Sequence, residues 1–156
     1  MKKIIFLITV SLFSINSFGQ DYSQLKNVKL ENAEDYKKAE LKVLECANYL
    51  LANPVDKDEL NRLNSFQFLF KWMEGTSDYT FSIGSEAMDL TKGKTELLTM
   101  YFTSMTKTVL ENADAELTDE EIQKQSIIYL NEYCLNPANN LKATKKMKKM
   151  MKVSKP

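Results

Sequence analysis

The chain contains no histidine. That absence excludes a Ser-His or Cys-His catalytic pair, a histidine-ligated zinc and a c-type haem attachment within this sequence. Turn-forming residues are nearly as scarce, with four glycines and three prolines in 156 residues. So few turn formers argue for a small number of long helices and against many short strands. Beyond the N-terminus no apolar run approaches the ~18 residues of a spanning helix. The length suits a single domain whose core needs neither metal nor dense cross-linking.

The first residues, MKKIIFLITVSLFSINSFGQ, have the layout of a secretory leader. Lys2 and Lys3 precede an apolar run from Ile4 to Phe13, followed by a polar stretch ending in small residues at Ser17 and Gly19. Cleavage is expected between Gly19 and Gln20, leaving a signal peptide at 1–19 and an exported chain, periplasmic or secreted. With no cysteine beside that junction, lipid modification is not expected.

Charge balances over the whole chain, yet it is unevenly distributed. Residues 20–141 hold 21 acidic and 12 basic side chains, whereas 142-KATKKMKKMMKVSKP-156 holds seven lysines and no acid. An acidic helical domain at 20–141 thus carries a basic Lys/Met-rich tail at 142–156.

Helical periodicity places a first helix over about 33–52, stopped by Asn53-Pro54. Asp56-x-x-Glu59 resembles a capping box opening a second helix to about Glu74, with Leu60, Leu63, Phe66, Phe70 and Met73 on one stripe and Leu69 and Trp72 beside it. Gly75 suits a left-handed position after that helix. A third helical region begins near Ser85, breaks around Gly93 and continues from Thr95 to Asn112, and Thr118-x-x-Glu121 caps a last helix reaching Asn136-Pro137. Residues 20–30 read as a lead-in strap. The expected fold is all-α, a four- to five-helix bundle with one extended aromatic loop. A faint echo between 49-YLLANPVD-56 and 133-YCLNPAN-139 is consistent with a duplicated hairpin.

The loop, 71-KWMEGTSDYTFSIG-84, alternates so that Tyr79, Phe81 and Ile83 share one side and Asp78, Thr80 and Ser82 the other. Two readings stand. The arm lies across the helix ends and closes the core, or Trp72, Asp78, Tyr79 and Phe81 form a partner-binding site, since aromatics beside a polar residue favour interface centres.

The run Trp72-Met73-Glu74-Gly75-Thr76-Ser77-Asp78 resembles the central segment of small exported helical immunity proteins that protect bacteria against type VI secretion amidase effectors. The resemblance covers about residues 41–82. It departs from that family where Phe68 to Phe70 stand in place of a cysteine before the aromatic. It implies a helical fold and a binding role through loops, without catalysis.

Two cysteines in an exported chain raise a disulfide between Cys46 and Cys134, for which loop closure would contribute roughly 4–5 kcal/mol. Against it, a simple up-down bundle sets the two residues at heights differing by more than the ~7 Å Cα limit. Two buried thiols on apolar stripes are the alternative. The acidic run 111-ENADAELTDEE-121 is not a calcium loop, because Leu117 and Gln123 stand where Gly and Glu are required. No metal and no cofactor is expected. Glu74, Asp78 and Glu86 are carboxylates near the loop on which a hydrolase would have to rely. In the tail, Met147, Met150 and Met151 share a helical face among lysines. That suits contact with an anionic membrane surface, an extension of the last helix against the body, or a frayed end. An acidic exported body makes nucleic acid a poor partner.

The resulting expectation is an exported, non-catalytic helical protein that binds an unknown protein partner. The alternative is a carrier of a small apolar ligand or lipid in the Met- and Phe-rich interior. Mass spectrometry of the mature chain is expected to show Gln20 as its first residue; an intact Met1 in the exported fraction would overturn the leader.

Overall fold

The computed structural model describes residues 22–56, 58–81 and 84–153, with the side chains of 151–153 excepted. The leader at 1–19 and the expected placements of Ser82, Ile83 and Met151 lie outside the described residues. The architecture is all-α. A 3-10 turn at Tyr22–Asn27 leads into α1 (Ala33–Ala52), α2 (Leu60–Gly75), the short α3 (Ser85–Thr91), α4 (Thr95–Glu111), α5 (Asp119–Leu135) and α6 (Lys145–Val153).

Local signals explain most boundaries. Asn32 caps α1 by accepting from Asp35 N, and Thr118 with Glu121 forms the expected capping box on α5. The α2 cap differs from expectation. Glu59, not Asp56, sits at the N-cap, where its carboxylate accepts from Asn61 N and Arg62 N, while Asp56 accepts from Asp58 N. Gly75 also differs: it is the last helical residue, and the positive φ angles belong to Lys92, Gly93 and Asn140. A Cβ at 75 would lie 2.0 Å from Tyr36 Oη, so a larger residue there requires the Tyr36 ring to shift.

α4 is the centre of the bundle. It packs on α1, α2, α3 and α5, and every residue from Met100 to Met105 is buried. A helix buried all round must satisfy its own polar groups. Thr103, Ser104, Thr106 and Thr108 do so by donating to the carbonyls four residues earlier, at 2.8–3.0 Å. Their small side chains allow neighbouring helices to approach, and Thr108 meets Ser126 of α5 at 3.2 Å.

The buried face of α2 is rotated from the expected stripe. Leu60 and Leu63 are exposed, and Arg62, Ser65, Leu69 and Trp72 face inward. Arg62, the only arginine in the chain, is 7 % exposed. Its Nη1 donates to the carbonyls of Leu50, Asn53 and Pro54 at 3.1–3.2 Å, and its Nη2 rests on the Met100 sulfur. These are the unpaired carbonyls at the end of α1, where the helix dipole is negative. Tyr133 Oη donates to Asn53 O as well, and Val55 N to Asn139 O, so the two Asn-Pro stops meet in space.

The segment after α5 belongs to the same body. Met147 is fully buried, Thr144 Oγ1 donates to Leu90 O at 2.8 Å, and Lys146 pairs with Asp89. Of the readings open for the tail, docking of its methionines against the domain is the one observed.

Replacing Arg62 by Met is expected to lower stability by about 3 kcal/mol, since several buried carbonyls lose their donor at ~1–3 kcal/mol each. Arg62→Lys should recover only part, because an ammonium lacks the planar fork. Denaturant melts check this; an unchanged midpoint for Arg62→Met would show that the carbonyls find other donors.

Candidate functional site

Trp72 is fully buried, and its Nε1 donates to Tyr36 O of α1 at 3.0 Å. The arm folds over it, with Tyr79 tilted on the indole at 5.6 Å and Phe81 edge-on at 6.1 Å, both half-buried. Trp72 therefore offers no surface to a partner; of the two readings of the arm, core closure is what its aromatic face performs. Asp78 remains exposed and pairs with Lys37 at 3.7 Å. Burial raises the Tyr79 pKa, with the nearby Glu40 carboxylate acting in the same direction.

The outer side of the arm forms one wall of a groove. A cleft of about 420 Å³ opens between Thr80, Glu86 of α3, Tyr101 and Met105 of α4, and Asp119, Glu120 and Ile122 of α5. A second cleft of about 370 Å³ runs along Asp78 and Tyr79 to Val109, Glu116 and Leu117. The two adjoin at Thr80, Asp119 and Ile122, and together they are called the groove. Both clefts are lined more by polar than by apolar atoms: Tyr101, Met105 and Val109 are buried beneath them, Leu117 and Ile122 are half-exposed, and the rim carries five carboxylates, Asp78, Glu86, Glu116, Asp119 and Glu120. No lysine or arginine lines either part among the described residues.

Sequence reasoning named Asp78, Tyr79 and Glu86 but missed the assembly. It read 111–121 as a solvated linker with a cap. That stretch is both, and it is also the far wall. The only hint was its acid density beside the Ile122 stripe. Of the carboxylates on which a hydrolase would rely, Glu86 and Asp78 stand in different halves of the groove and Glu74 lines neither. Among the described residues no group of three or more Cys, Asp or Glu side chains is placed to hold a metal ion.

The two thiols are free. Cys46 lies on α1, which packs on α2 and α4, whereas Cys134 lies on α5, which packs on α4 and α6. The central helix stands between them, so the disulfide reading does not hold in this topology. Burial pushes the Cys46 thiol up to about 12, partly offset by the adjacent Ser65 hydroxyl, and the Cys134 thiol to about 11, eased by Lys148. Ser65 Oγ has no partner at strict hydrogen-bond distance, so its contact with Cys46 is a weak one.

A third cleft, about 410 Å³, lies between α2 and α4 at Val55, Leu63 and Phe66, with Asp56 and Glu96 at its edge. It is open to solvent, as are both halves of the groove. No helix among the described residues is long and apolar enough to cross a membrane. Comparison with protein-family models, curated proteins and solved structures found no match.

Alkaline pH should destabilise the fold. Burial holds Cys46 and Tyr22 at about 12, and with a hydrogen bond to Glu59 it holds Tyr49 there too, against ordinary values of 9.0 and 10.0. Folded groups that keep protons the unfolded chain releases make stability fall with rising pH. Their contribution is complete below pH 9 and is lost from there upward. Denaturant melts between pH 7 and pH 11 should show that decline, and thiol reagents at pH 8 should modify Cys46 only after unfolding. Rapid labelling of native Cys46 would contradict its burial.

Proposed function

We propose that this chain is an exported, non-catalytic binding protein whose acidic groove, between the arm and α3, α4 and α5, receives a basic segment of another protein. The observation that carries the reading is the groove's chemistry. A rim of five carboxylates, with no cation among the lining residues, borders a mostly polar surface on which Leu117 and Ile122 are half-exposed. A peptide whose lysine or arginine side chains face the carboxylates, with an apolar side chain against Leu117 or Ile122, matches that surface. Acidic rims also steer cationic partners before contact.

This reading keeps the protein-binding role expected from the arm and moves it from the indole to the arm's outer face. Asp78 stays in the site, Thr80 joins it, Tyr79 contributes its edge, and Trp72 and Phe81 hold the wall in place. The absence of histidine favours binding over catalysis, and an inhibitor-like role of the kind implied by the resemblance at Trp72–Asp78 is one form of it. The carrier alternative has less support, because the large side chains of Trp72, Leu69, Leu97 and Met100 fill the core.

A labelled Lys/Leu-rich peptide is the probe, with chemical-shift changes mapping its contact. Binding should perturb Thr80 and Ile122, weaken with salt, and fall by about tenfold or more in a Glu86→Lys, Asp119→Lys double variant. Perturbations confined to the α2–α4 cleft, or undiminished binding by the folded variant, would overturn the groove as the site.

A further inference from the structure

The docked tail creates a second charged surface, beside the end of α3 and the last turn of α5. α6 is fixed by the buried Met147, by the Thr144 contact with Leu90 O and by the Lys146–Asp89 pair. Those three contacts turn Lys145, Lys148 and Lys149 to solvent. Thr144 bonds to the end of α3, so the exposed Lys92 and Lys94 of the following turn, with Lys142, belong to the same end. Lys148 acts on the Cys134 thiol, which places it beside the last turn of α5. Asp89 is the carboxylate on α3 already paired with Lys146.

We propose that this basic end seats the protein on an anionic phospholipid surface. Three features select lipid. Lys145, Lys148 and Lys149 are exposed along one short helix, an arrangement suited to the spread field of a surface. All the cations are lysines, point charges suited to a diffuse field, where phosphate recognition by geometry favours arginine. No aromatic side chain is interleaved with them, as stacking on single-stranded nucleic acid requires. The contact is peripheral. Met147 faces the protein core and Met150 is half-buried against it, so α6 does not enter the bilayer as an interfacial helix would. Exposed Met88 and Leu135, on the two helices that hold α6, are the apolar side chains available for shallow contact.

Charge separation follows the helix axes. α3 carries Glu86 at its start and Lys92 just past its end, and α5 begins at the groove with Asp119 and ends beside Lys148. The inference is independent of what occupies the groove.

The test is flotation of the mature chain with phosphatidylglycerol-rich vesicles and with neutral phosphatidylcholine vesicles, at low and high salt. Binding to the first alone, released by salt, is the expected result. A Lys145→Glu, Lys148→Glu, Lys149→Glu variant with unchanged helical signal and melting midpoint should lose at least about tenfold in affinity. The Glu86→Lys, Asp119→Lys variant should float as well as the wild type, which separates this proposal from the groove's. Equal binding to neutral vesicles, retention by the lysine variant, or no flotation would overturn it. So would a copy-to-copy complex, without vesicles, that the same lysine changes dissolve, since the basic end would then serve the acidic groove of another molecule.

Discussion

A single buried guanidinium organises the junction of three helices. Arg62 gathers the terminal carbonyls of α1 and touches Met100 of α4, so α1, α2 and α4 are fixed relative to one another at one point. A charge buried to this degree is costly unless its donors are satisfied. Here the partners are main-chain carbonyls at a helix end, where partial negative charge already accumulates. Satisfying Arg62 sets the rotation of α2. It brings Leu69 and Trp72 inward and leaves Leu60 and Leu63 in solvent, against the simplest apolar pattern.

That rotation has consequences at the other end of α2. Trp72 enters the core and bonds to Tyr36 O, and the chain leaving α2 must then cross it, with Tyr79 and Phe81 covering the indole. The arm alternates because one side is committed to this task. Its other side is then free to wall the groove with Asp78 and Thr80. Structure and candidate function therefore share one short segment, with the period of two separating them.

The central position of α4 settles the remaining relations. Its threonines and Ser104 bond to their own helix and leave small contact surfaces, which lets α1 and α5 pack on either side. With α4 between them, Cys46 and Cys134 stay apart as free thiols, while the ends of α1 and α5 still meet through Tyr133 and Asn53. The short resemblance between the two Asn-Pro segments is thus a resemblance of two helix stops that touch.

Helix positions were legible in the sequence to within a residue or two at most ends, because caps, Asn-Pro stops and apolar periodicity act locally. Sequence alone also sufficed for the all-α class and the separation of acidic body from basic tail, since those follow from composition and order. Which face of α2 is buried was not legible, although a lone arginine among twenty lysines was its signal, because hydrophobic stripes take no account of carbonyls that need a donor from elsewhere. The groove was equally hidden. Its walls come from residues 78–80, 86, 101–109 and 116–122, which only packing brings together, and only packing turns Trp72 from an apparent anchor into core.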